Sequence, residues 1–86
     1  MEIKVGSVVR SKMGRDKGDL FMVLAMEGDY VYMANGELRK VDKPKKKKLK
    51  HLQGTEQVSE FIINKIAQGG KVTNSEVRKA LAQSGR

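Results

Sequence analysis

The chain has 86 residues, enough for one small domain with a single modest hydrophobic core and too few for a conventional catalytic cleft, so no enzymatic activity is expected. Eighteen Lys and Arg against ten Asp and Glu give a formal net charge of +8, which favours an anionic partner. The absence of cysteine and a single histidine argue against disulfides, thiolate chemistry and a His/Cys zinc site, no cofactor or metal is expected, and no stretch approaches the ~18 apolar residues of a membrane span.

The opening Met1-Glu2-Ile3-Lys4-Val5 carries no long apolar run and no myristoylation signal, and a cytoplasmic chain is expected. Residues 5–12 and 20–26 read as a hairpin around the polar loop 13–19, whose Gly14 and Gly18 can take positive φ. Residues 20–26 are apolar without alternation, so both faces of that strand should be covered, one of them by the C-terminal helices. Met22, Met26 and Met33 fit core filling. Glu27-Gly28-Asp29 reads as a turn and residues 30–34 as a strand. Asn35-Gly36 then has the signature of a two-residue hairpin loop, setting Ala34 against Glu37, Met33 against Leu38 and Tyr32 against Arg39. In that register Val31, Met33 and Leu38 face the core. Tyr30, Tyr32 and Arg39 face outward, where an aromatic and a guanidinium suit stacking on unpaired bases, although ordinary half-buried packing accounts for the tyrosines equally well.

Farther along, Val58, Phe61, Ile62, Ile66 and Ala67 recur at the spacing of one helical face, and Gly69-Gly70 supplies a stop. Thr73-Asn74-Ser75-Glu76 fits a capping box with Thr73 as N-cap, and Val72 and Val77 fit a hydrophobic staple. Phe61, Ile62, Ile63 and Ile66 could serve as a lid or as a dimer face. The lid is expected, because the apolar second strand needs cover, and with it a monomer.

Charge is concentrated. From Arg39 to His51 there are eight Lys or Arg and one acid, Asp42, so this segment carries +7, whereas the remainder has ten basic and nine acidic residues. A solvated basic loop is the bland account, and binding of a polyanion the better one. Pro44 disfavours helix and pushes Lys43 toward extended geometry, so the lysines would line a strip that tracks a phosphodiester chain. The Gly14 to Gly18 loop is not a Walker A motif, and His51 reads first as a polar contact.

Residues 8–23, Val-Val-Arg-Ser-Lys-Met-Gly-Arg-Asp-Lys-Gly-Asp-Leu-Phe-Met-Val, resemble a KOW motif, as found in several large-subunit ribosomal proteins of eukaryotes and archaea and in some transcription elongation factors. The stretches Asn-Gly-Glu-Leu-Arg-Lys-Val and Pro-Lys-Lys-Lys-Lys-Leu-Lys-His-Leu are similar to the ribosomal branch, and the resemblance covers residues 5–52. It implies a small SH3-like barrel of about five strands over residues 1–53; with the two short helices read from periodicity in a 54–86 appendage, where the match weakens, the expected fold is mainly β with C-terminal α. It also implies ribosomal RNA contacts from Arg15, Lys17, Lys45, Lys46, Lys47, Lys48, Lys50 and His51. Lys12, Tyr32, Arg39, Lys40 and Lys43 join these candidates by their place in the chain. Asp16 and Asp19 could instead pair with Arg15 or Lys17 and leave a neutral turn. The expected partner is structured ribosomal RNA, bound as a ribosomal or ribosome-associated protein with ribosomal proteins as neighbours and no membrane. Competing readings are a module docking onto the transcription or translation machinery, and a nuclear protein carrying a Pro-Lys-Lys-Lys-Lys-Leu-Lys localisation run.

Overall fold

The computed structural model describes residues 2–84 as five strands followed by two helices. β1 (Ser7–Ser11), β2 (Leu20–Glu27) and β3 (Tyr30–Ala34) form an antiparallel meander. β4 (Lys45–Lys48) adds to β3, and β5 (Leu52–Val58) returns to the free edge of β1, giving the order β4-β3-β2-β1-β5. α1 (Glu60–Ala67) and α2 (Asn74–Ser84) complete a mainly β fold with C-terminal helices. Neither helix is long and apolar enough to cross a membrane.

The ladder does not close into the expected barrel, because β4 and β5 each pair on one side only. The cause lies in the connection between them. β4 has four residues, and a single 3-10 turn, Leu49–His51, carries the chain across to β1 instead of back along β4. Register shifts between Ser7 and Val9 and between Val23 and Ala25 mark bulges, which raise local twist and let the open sheet curl.

β2 lies between two apolar layers, which explains its lack of alternation. Phe21 and Val23 join Val9, Val31, Met33 and Leu52 on the inner face. On the outer face Met22 and Val8 pack under Ile62, Val72 and Val77, so the helices do cover the second strand. The cover stops at Leu24. Ala25 is exposed, and so is Met26, expected in the core, whereas Met22 and Met33 are fully buried.

Helix α1 starts later than its apolar periodicity indicates. Val58 ends β5 and residues 54–58, expected in the helical appendage, hydrogen-bond to β1, a pairing that overrides local helical spacing. Ser59 is the actual N-cap, its Oγ accepting from the Ile62 amide at 3.2 Å. The Gly69-Gly70 stop forms as expected: the Gly70 amide donates to the Lys65 carbonyl and the Gly69 amide to that of Ile66. The capping box forms too, with the Thr73 amide 2.9 Å from Glu76 Oε1 and the Glu76 amide 3.2 Å from Thr73 Oγ1. Lys65 Nζ donates to both Glu76 oxygens, at 2.8 and 2.7 Å, tying α1 to α2 and holding the Glu76 carboxyl below its usual range.

The two-residue hairpin at Asn35-Gly36 does not form. β3 pairs with the lysine segment itself, Met33 opposite Lys45, Tyr32 opposite Lys46, Val31 opposite Lys47 and Tyr30 opposite Lys48. Residues 35–44 become a long connection docked on α2, where Arg78 donates to the Gly36 carbonyl at 2.7 Å and the Val41 amide donates to Asn74 Oδ1 at 2.8 Å. Gly36 does take the expected positive φ, +78°, but a Cβ there would stand 2.5 Å from the Asn74 carbonyl oxygen. The glycine is required by the approach of α2 as well as by the turn. Leu38, expected in the core, is left exposed.

Candidate nucleic-acid interface

As a strand, the lysine segment is divided by the pleat. Successive side chains of β4 point to opposite faces, so Lys45 and Lys47 follow Met33 and Val31 inward while Lys46 and Lys48 follow Tyr32 and Tyr30 outward. Four consecutive residues of one type thereby acquire two roles.

The inward pair meets Asp16 of the β1–β2 loop. Lys47 Nζ, in a residue only 9% exposed, donates to Ser11 Oγ at 3.0 Å, the Met13 carbonyl at 2.7 Å and Asp16 Oδ1 at 3.0 Å. Lys45 Nζ donates to Asp16 Oδ2 at 2.7 Å, and the Ser11 hydroxyl donates to Oδ1 at 2.7 Å. Burial opposes the charged carboxylate, but the hydrogen bonds from Lys45, Ser11 and Lys47 outweigh it and hold Asp16 well below the usual carboxylate range. Asp16 therefore does not neutralise Arg15 or Lys17. It fastens the loop to β4, and Lys47 is withdrawn from the accessible set.

The outward pair lies on an aromatic surface. Lys46 Nζ stands 4.6 Å from the centre of the Tyr30 ring and 5.8 Å from that of Tyr32, and Lys48 Nζ stands 5.8 Å from Tyr30. Glu27, opposite Tyr30 on β2, completes the patch: the Tyr32 hydroxyl donates to its Oε1 at 2.9 Å and Lys46 lies 3.7 Å away. Farther along this face, at Met22 and Ala34, the sheet is buried, and Met22 lies under the helices. The patch is the part of the outer face that the helices leave open. The expected partnership of Tyr32 with Arg39 is replaced by one with Lys46, since Arg39 lies in the 35–44 connection.

The remaining candidates lie on the segments that join the strands. Lys12, Arg15 and Lys17 are exposed on the β1–β2 loop, where Gly14 and Gly18 both have φ of +92°. Arg39, Lys40 and Lys43 are exposed on the 35–44 connection, Lys50 is exposed in the 3-10 turn and His51 is half-buried there. The two loops meet: Arg15 and Arg39 line one open groove with Asp19, Phe21, Leu38 and Lys45. Sequence reasoning missed Glu27, and it missed Arg10, whose guanidinium donates to the Gly18 carbonyl at 2.6 Å and steadies the loop. A period-2 reading of Lys45–Lys48 divides the lysines into two alternating pairs but does not say which pair faces inward. No family model matches the chain, and no curated protein matches it.

Proposed function

We propose that this protein binds structured RNA, ribosomal RNA first, through the open part of its outer sheet face, as a ribosomal or ribosome-associated protein. The reading draws on the resemblance of residues 5–52 to KOW domains, and an SH3-like assignment suits an antiparallel meander whose last strand returns to its first. The observation that carries it is the juxtaposition of Lys46 and Lys48 with Tyr30 and Tyr32 on one uncovered surface. Tyrosine rings offer faces to unpaired bases, and the ammonium groups above them attract phosphates and slide aside as a base arrives. Exposed Lys12, Lys17, Lys40, Lys43 and Lys50 add to the net positive field of the molecule. Lys45 and Lys47 act beneath it, as supports.

Fluorescence anisotropy with a labelled RNA hairpin, repeated across ionic strength, tests the proposal. Affinity should fall with salt at a slope of ~0.7 to 0.9 per neutralised phosphate, and Lys46→Ala with Lys48→Ala should reduce that slope by about two contacts. A salt-independent affinity, or one indifferent to the double substitution, sinks the assignment. Sedimentation of the endogenous protein with ribosomes at low and high salt, followed by RNA crosslinking, tests the ribosomal part.

A further inference from the structure

Leu38 is 91% exposed on a loop that is held rigidly. Asn35 Oδ1 accepts from the amides of Glu37 and Arg39 at 3.0 and 2.9 Å, and the Arg39 carbonyl accepts from the amides of Asn35 and Gly36 at 2.9 and 3.0 Å. α2 clamps the same loop through Arg78 and Asn74. Tied on both sides, the loop cannot fold Leu38 back onto the core, and an apolar side chain is kept in water at a free-energy cost that burial against a partner would recover.

The surroundings indicate which partner. Leu38 stands on the rim of the groove between the two loops, whose walls carry Arg15 and Arg39. Neither guanidinium makes a hydrogen bond or ion pair among the described residues, and the neighbouring Asp16 is already neutralised by Lys45 and Lys47. An apolar projection that shares a groove with two free guanidinium groups complements an unpaired nucleotide. The base supplies an apolar face, and the phosphates on either side supply bidentate acceptors. Apolar side chains wedge against or between bases in other nucleic-acid complexes. Asp19, on the same groove and without a side-chain partner among the described residues, is placed to accept from an exocyclic amine.

We propose that Leu38 is a wedge for an unpaired base, with Arg15 and Arg39 on the flanking phosphates, so that the protein prefers bulged or looped RNA to continuous duplex. The inference rests on the RNA-binding reading and adds to the Tyr30 and Tyr32 surface a second subsite, braced by α2. The test uses two RNA hairpins of equal length and charge, one fully paired and one with a single unpaired adenosine replaced by a fluorescent adenine analogue. The wild-type protein should bind the bulged hairpin more tightly and change the analogue's emission. Leu38→Ala should lose about fivefold in affinity for the bulged hairpin, leave the paired one unaffected and abolish the emission change, while Leu38→Phe should restore both. Equal effects of Leu38→Ala on the two hairpins, or no effect on either, overturn the wedge while RNA binding stands. Binding of neither hairpin by the wild-type protein overturns both readings.

Discussion

Lys46 and Lys47 are adjacent and chemically identical, yet their substitution by methionine should give opposite results. Methionine keeps much of the aliphatic stem and removes the ammonium. At Lys47 this deletes three hydrogen bonds, of 3.0, 2.7 and 3.0 Å, to Ser11, the Met13 carbonyl and Asp16. Hydrogen bonds to charged groups contribute ~1.5 to 3 kcal/mol each, but relief of the buried ammonium's desolvation offsets much of that sum. Asp16 also retains Lys45 and Ser11, each at 2.7 Å, so it is not left bare. The expected net cost is ~2 to 3 kcal/mol, which for a domain of this size lowers Tm by roughly 10 to 20 °C. Lys46, with a half-exposed side chain and a 3.7 Å pair to an exposed Glu27, should cost less than about 0.5 kcal/mol. Far-UV circular dichroism during thermal and urea unfolding measures stability, and RNA anisotropy, well below the midpoint of each variant, measures binding. Lys47→Met should lose stability and keep affinity; Lys46→Met should do the reverse. Equal stability losses, or a larger one at Lys46, would refute the division of the lysines by the pleat.

Glu27→Gln removes an internal competitor for Lys46 and should raise RNA affinity about two- to fivefold at low salt, measured by anisotropy, with unchanged stability. The folded carboxyl of Asp16 titrates below its unfolded value, so its contribution is fully present above ~pH 4 and is lost as pH falls through the folded value. Urea midpoints measured from pH 6 downward should therefore fall more steeply for the wild type than for Asp16→Asn, which should already be ~2 kcal/mol less stable at pH 6. Thr73→Ala removes the hydroxyl that accepts from the Glu76 amide and should cost ~1 kcal/mol in the same assay. Gly36→Ala must displace the Asn74 carbonyl and adopt positive φ, and should cost about 2 kcal/mol while raising amide hydrogen exchange across residues 35–41.

Elements governed by neighbouring residues were readable from the chain alone. The Gly69-Gly70 stop and the Thr73 to Glu76 capping box depend on bonds between residues a few positions apart, and the β1–β2 hairpin on strands joined by one short loop, so their local sequence is sufficient. The unbroken apolar run of β2 likewise announced cover on both faces, since hydrophobic residues facing water on either side would be unstable. The partner of β3 was not readable. Asn35-Gly36 is a strong local turn signal, but α2 captures the same loop through Arg78, 42 residues from Gly36, and the competing hairpin is lost. Nor could local sequence sort the lysines, because four equal letters contain no contrast. That sorting arises from register against β3 and from Asp16, 31 residues from Lys47, whose carboxylate makes one face of β4 a place where an ammonium can be buried. Composition and charge clustering thus determined a small basic β-rich domain and the segment where its charge gathers. Only long-range pairing decided which of those charges hold the fold and which remain open to a partner, since a buried ion needs a counter-ion brought from elsewhere in the chain.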